Sequence, residues 1–252
     1  VSEATGRVEA ELEGGVLTLR LANPERANAL DEPMLAALVG HLGEAERRGA
    51  RVVLLGGAGE RHFSAGLDLA ARGPEGVRAG ERALGEATRA VRACPCPVVA
   101  VLTGHAFGGA LELAMACDWR LARRGARFGM TPARLGVVYA REGLRVFVDA
   151  IGPAHTRELF ATAEPVEAER ALAIGMVSHV VEPADLWPLA RAIAERIAAN
   201  APIAVAGATA ILRDLDDAAL AEAWRERAWA SEDLAEGLSA FRERRPPRFS
   251  GR

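Results

Sequence analysis

Two stretches bring polar groups and special backbone to the ends of apolar runs: His62-Phe63-Ser64-Ala65-Gly66-Leu67-Asp68-Leu69 and Gly104-His105-Ala106-Phe107-Gly108-Gly109-Ala110-Leu111-Glu112. In the second, adjacent glycines open a nearly all-apolar run that reaches Cys117. A helix starting there presents unpaired N–H groups and the positive end of its dipole, the outline of an anion site. Glu112 follows Gly109 by three positions, so its carboxyl shares a helix face with that donor. Among apolar neighbours a carboxylate is costly to bury, and desolvation raises its pKa toward the range useful for proton transfer. Taken singly, either glycine cluster is also explained by a structural turn, and Glu112 by a surface position on a tilted helix.

Composition removes several other chemistries. All 31 basic residues of the 252-residue chain are arginine, so no ε-amino group is present for a Schiff base, a phosphate loop or a kinase-type strand lysine. The glycine spacing is not the Gly-x-Gly-x-x-Gly of a dinucleotide fingerprint. A net charge of −3 argues against a nucleic-acid partner. Cys94, Cys96 and Cys117 lack zinc or disulfide-framework spacing, and His41, His62, His105, His155 and His179 show no metal spacing, so no metal site is expected. No apolar run is long enough to span a membrane, and the N-terminal Val-Ser-Glu-Ala-Thr-Gly lacks a signal-peptide pattern. The expectation is a cytoplasmic protein without membrane association.

The elements that must hold these groups follow from hydrophobic period and breakers. Residues 7–21 predict a β-hairpin turning at Gly14-Gly15, and residues 32–48 an amphipathic helix ending near Gly49. Buried strands are expected at 51–55 and 97–102, with a helix at 75–93 between them. The buried helix over 107–117 leads to strands at 119–122 and 126–130, helices at 143–151, 153–162 and 167–174, and a strand at 178–181. Helices over 184–199, 202–213 and 217–244 complete the chain. This reads as an α/β core over residues 1–195 and a helical region over 196–252 suited to subunit packing or to monomer core.

With these residues in view, the chain resembles the crotonase superfamily, the enoyl-CoA hydratase/isomerase family, over essentially its full length. The resemblance rests on Asn23-Pro24-Glu25-Arg26-Ala27-Asn28-Ala29-Leu30, the two segments above with Cys117-Asp118, and Glu169-Arg170-Ala171-Leu172 with Gly175-Met176-Val177. Glu236-Gly237 with Phe241 completes it. It implies a spiral of ββα units with a C-terminal helical trimerisation region, hence a homotrimer or hexamer. It also implies an acyl-CoA thioester as substrate, with no tightly bound cofactor. By resemblance, the backbone N–H groups of Leu67 and Gly109 form an oxyanion hole for the thioester oxygen, where preorganised donors stabilise an enolate. Glu112 is the implied acid/base, Asp68 a loop brace, and Arg26 and Ala65 lie at the CoA. The basic run Arg242, Arg244 and Arg245 is a further CoA contact, from a neighbouring subunit. The stretch Gly73–Gly85 is expected to form a mobile wall of the acyl pocket.

One position departs from the family pattern. Hydratases of the family hold a water between two glutamates, and the second falls on Pro132, which can neither hold nor deprotonate water. The segment Met130 to Tyr139 and the terminus from Ser231-Glu232-Asp233 look more like the methylmalonyl-CoA decarboxylase branch, in which the residue matching Tyr139 faces the substrate. Leu67, however, stands where that branch carries histidine. Tyr139, the sole tyrosine, is therefore expected to orient a substrate carboxylate or deliver a proton. The reading leans to decarboxylation of a short malonyl-type thioester, with hydration or isomerisation by Glu112 alone as the alternative. A non-catalytic acyl-CoA-binding or assembly member is the alternative of another class.

Overall fold

The computed structural model describes residues 6–69 and 73–252; the stretch read above for a leader lies outside them except for Gly6. β1 (Arg7–Glu13) and β2 (Val16–Ala22) pair antiparallel from Arg7↔Ala22 to Glu13↔Val16. Gly14 and Gly15 turn the hairpin with φ of 57° and 81°, the positive pair that a two-residue loop with matching twist needs. β1 carries charges along an exposed edge, which discourages further pairing, whereas β2 is buried at all but one position. A 3-10 turn at Pro24–Arg26 leads to α1 (Glu32–Glu44), capped by the Asp31 carboxylate, which accepts from the Met34 N–H at 2.8 Å. This helix ends four residues before the expected boundary, and a closing turn through Gly49 (φ 87°) replaces its last turn.

β3 (Val52–Gly57), β4 (His62–Ser64), α2 (Pro74–Ala93), β5 (Val98–Leu102), β6 (His105–Phe107) and α3 (Gly109–Ala116) follow. Next come β7 (Trp119–Arg123), β8 (Arg127–Gly129), α4 (Pro132–Leu135), α5 (Arg141–Thr162), β9 (Val166–Glu167), α6 (Ala168–Ala173) and β10 (His179–Val181). Two sheets result. One has the order β1-β2-β3-β5-β7-β10, parallel except for the hairpin; the other has the order β4-β6-β8-β9, parallel until β9. Parallel strands buried on both faces read as continuous apolar runs. On the large sheet Leu17, Leu19, Val53, Leu55 and Ala100 face α1, α2 and α3, while the alternate positions Val16, Val52, Leu54, Val99 and Val101 pack on α7 (Leu186–Ala198).

The strand-then-helix reading holds, and the four-residue α4 and three short strands escaped it. β4, β6 and β9 have three, three and two residues, too short to display a period. α5 bends at Gly152 (φ 73°, ψ 168°) just before Pro153, where two helices were expected. α8 (Pro202–Arg213) is as expected, but residues 217–244 form two helices, α9 (Ala218–Trp229) and α10 (Glu232–Glu243). Ser231 makes the break: its hydroxyl caps α10 by accepting from the Leu234 N–H at 3.2 Å. Arg213 ties α8 to the core through a two-pronged bond to Asp118 (2.7 and 2.9 Å) and through the carbonyls of Arg92 and Cys94. Among the described residues no helix is long and apolar enough to cross a membrane.

Candidate active site

The two short parallel strands β4 and β6 pair side by side and deliver the two sequence-flagged segments to one cavity of about 1130 Å³. After β4, the backbone of residues 65–68 aligns with residues 27–30: Ala65 N–H donates to the Ala27 carbonyl, Leu30 N–H to Gly66, and Asp68 N–H to Leu30, all at 2.8–2.9 Å. These bonds occupy the groups on either side of Leu67. Alternation along an extended chain therefore turns the Leu67 N–H the other way, and it meets no protein acceptor among the described residues. Buried Asn28, in the left-handed region (φ 55°), anchors this arrangement, donating to the carbonyls of Ala58 and His62 at 2.8 and 3.1 Å and accepting from Asn23 N–H at 3.0 Å. Gly66 is required by both its φ of 99° and its packing, since a Cβ there would lie 2.7 Å from the Phe107 carbonyl oxygen.

From β6, Gly108 donates to the Gly129 carbonyl at 2.9 Å and turns the chain into α3, all eight residues of which are buried. The first helical bond runs from the Glu112 N–H to the Gly108 carbonyl, so the N–H groups of Gly109, Ala110 and Leu111 have no intrahelical acceptor. A Cβ on Gly109 would lie 3.3 Å from Leu67 Cγ and 2.8 Å from Leu84 Cδ2, while one on Gly66 would lie 3.4 Å from the Gly109 nitrogen. Leu67 and Gly109 thus adjoin at the cavity wall, and both line it.

Glu112 is 5% exposed and also lines the cavity, which rules out a surface position on a tilted helix. Its Oε1 accepts from the Thr88 hydroxyl at 3.2 Å, and the Tyr139 hydroxyl hydrogen-bonds the same carboxyl. Burial, the largest influence, pushes Glu112 up to about 7; the bonds from Tyr139 and Thr88 pull it back, and the Glu81 charge adds to the rise. Tyr139 stays neutral, its phenol raised well above its ordinary value by burial first and by the Glu112 charge next. Its ring packs edge-on against Phe160 at 5.4 Å, and Phe160 in turn against Phe147 at 5.1 Å, so the hydroxyl is aimed by a chain of rings. Pro132 lines the cavity at the start of α4, where the family pattern would put the second carboxylate.

The remaining expected residues are distributed unevenly. Ala65 lines the cavity. Arg26 does not, and both of its terminal nitrogens are held by Asp68 at 2.7 and 3.1 Å, so the acid braces the loop and the arginine is committed to it. Arg245 is likewise engaged by Glu236 and Glu243, while Arg242 and Arg244 are exposed away from the cavity lining. The stretch expected as a mobile glycine-rich wall does line the cavity, through Val77, Glu81, Leu84 and Gly85, but it is a regular 20-residue helix from Pro74. His62 and His105 pack edge to face at 5.5 Å and are not part of the cavity lining. Sequence reasoning missed Glu81, Thr88 and Gly143. Glu81 and Thr88 sit seven positions apart on α2, a spacing that marks one helix face, but the sequence does not say which helix that face meets.

Comparison with known proteins agrees with this geometry. The sequence profile of the Enoyl-CoA hydratase/isomerase family matches residues 11–252. The chain is 35% identical to the short-chain-enoyl-CoA hydratase of Clostridium acetobutylicum, over 93% of its own length and 94% of the relative's. It is 33% identical to the methylmalonyl-CoA decarboxylase of Escherichia coli, over 90% and 91% of the two lengths. The crystal structure of an enoyl-CoA hydratase from Bacillus anthracis superposes with a TM-score of 0.91 at 32% identity, covering 98% of this chain and 100% of that one. Two sheets wound around a buried helix that opens on paired glycines are therefore the architecture of a crotonase-superfamily enzyme. Within that class, the chain belongs to the enoyl-CoA hydratase/isomerase family.

Proposed function

We propose that this enzyme decarboxylates a short malonyl-type CoA thioester. One observation carries the reading. The cavity pairs the adjoining donors Leu67 and Gly109 with a single buried carboxyl pushed up to about 7, so that its protonated form is well populated near neutral pH, and it has proline where a hydratase needs a second carboxylate. An ionised Glu112 would repel a substrate carboxylate; the protonated form does not. In the proposed step the bond from the α-carbon to the carboxylate breaks and carbon dioxide leaves. The electron pair passes into an enolate whose oxygen is held by the Leu67 and Gly109 N–H groups. A proton from the hydrogen-bonded pair of Glu112 and Tyr139 then closes the α-carbon, and solvent replaces it. Ala65 forms the CoA side of the site, Arg26 stays held by Asp68 off the cavity lining, no tightly bound cofactor takes part, and the thioester arrives as substrate.

Residues 196–252 are proposed to pack subunits into a trimer or hexamer beside the core of residues 1–195. Leu212, Trp229, Leu238 and Phe241 on these helices and Leu215 in the turn between α8 and α9 are each more than half exposed, an apolar surface suited to burial between copies. Light scattering on the purified protein tests this part. For the reaction, the enzyme is incubated separately with methylmalonyl-CoA, crotonyl-CoA and a 3-enoyl-CoA. Propionyl-CoA and carbon dioxide from the first are expected. Turnover of crotonyl-CoA alone overturns the decarboxylase reading, and failure to bind any acyl-CoA overturns the catalytic one. Glu112→Gln is expected to abolish hydration or isomerisation and to leave decarboxylation measurable.

A further inference from the structure

Gly143 is the third residue of α5 and is buried against the active carboxyl. A Cβ built on it would lie 3.1 Å from Glu112 Cδ, 3.1 Å from Glu112 Oε1 and 3.0 Å from Tyr139 Cδ1. Its φ is not in the left-handed region, so backbone conformation does not demand glycine; space does. Oε1 is the same oxygen that accepts from the Thr88 hydroxyl on α2, which seats that oxygen between two helices. Glu112 also lines the cavity.

We infer that Gly143 is a positioning residue for the proton-transferring pair: by carrying no side chain it lets the Glu112 carboxyl and the Tyr139 ring occupy adjoining positions against α5. The inference rests on the assignment of Glu112 as the group that gains and loses a proton. A methyl group at residue 143 forces the carboxyl to give by a few tenths of an ångström, away from α5. The readouts are how easily Glu112 ionises and how well it is aimed. A misplacement on the order of 1 Å costs about a hundredfold in rate, so this smaller shift costs about threefold to tenfold.

Gly143→Ala tests the inference, because alanine has the higher helix propensity and a purely structural glycine would leave activity intact in an equally or more stable protein. The Glu112 titration is followed in the substrate-free protein by the infrared band of its protonated carboxyl, with Glu112→Gln as the blank, and kcat/KM is measured in parallel. The expected result is a midpoint moved above that of the parent and a threefold to tenfold loss of kcat/KM. An unmoved midpoint and an unchanged rate overturn the inference. Because the infrared titration needs no substrate, a moved midpoint in a protein that does not decarboxylate anything refutes the reaction and keeps the positioning role. Should Gly143→Ala lose thermal stability, Glu112→Asp is added to shorten the carboxyl arm. Recovery in the double variant supports the contact, and no recovery overturns it.

Discussion

Replacing Thr88 with valine removes one of the hydrogen bonds that hold Glu112 down while nearly preserving side-chain volume at a buried position. A hydrogen bond to a charged group is worth about 1.5–3 kcal/mol, and the 3.2 Å separation puts this one at the weak end. Since one pH unit of midpoint corresponds to about 1.4 kcal/mol, the Glu112 midpoint should rise by about one unit above its value near 7. In the proposed decarboxylation the active form is protonated Glu112, so kcat/KM is expected to be full below the midpoint and to fall as pH rises through it. At pH 8 about a tenth of the parent enzyme and about half of Thr88→Val is protonated. Relative to its own plateau, the variant should therefore retain about five times more kcat/KM at that pH. The assay is propionyl-CoA formation from methylmalonyl-CoA between about pH 5.5 and 9. A parent rate that climbs through pH 7 would show Glu112 acting as a base and refute the reasoning; a variant midpoint equal to the parent's would remove Thr88 from the account. Stability carries the same sign. The folded protein holds this proton more tightly than the unfolded chain, so stability falls as pH rises from about 4.5 to 7, by about 3 kcal/mol in all, and urea melts of Glu112→Gln should lack that fall.

Tyr139→Phe keeps the ring packed on Phe160 but loses the hydroxyl, and decarboxylation should drop at least about tenfold with melting temperature little changed; an unchanged rate returns Tyr139 to a packing role. Gly66→Ala introduces a Cβ 2.7 Å from the Phe107 carbonyl oxygen at a φ of 99°, so the strand carrying the Leu67 donor must shift. A loss of about a hundredfold in kcat/KM is expected, and a rate within twofold of the parent would remove that donor from the mechanism. Arg213→Met leaves Asp118 and two backbone carbonyls without their partner where both side chains are mostly buried, and chemical denaturation should show a loss of about 2–4 kcal/mol with the active-site titration unchanged.

The parts legible in the sequence are those set by near neighbours along the chain. Gly14-Gly15 announces a hairpin because a two-residue turn needs positive φ, and Gly108-Gly109 followed by Glu112 announces a helix start with a carboxyl on the donor face because 3.6 residues make a turn. Pro132 marks a missing carboxylate only through the family resemblance, which puts the second glutamate at that position; its own chemistry then excludes holding or deprotonating water. Ser231 was equally local and marks a helix start that the longer hydrophobic period overrode. The tertiary structure decided which of these groups meet. Thr88 and Glu112 are 24 positions apart, and Arg26 and Asp68 are 42 apart. Nothing in either local pattern shows that the first pair sets a proton's affinity or that the second diverts an arginine from the CoA expected of it. Gly143 reads in sequence as an ordinary glycine in a helix, and it becomes necessary only where α5 packs on the Glu112 carboxyl. Local geometry prescribes the donors and the acid, whereas how strongly that acid holds its proton depends on burial and on partners from other helices, and these exist only once the chain has packed.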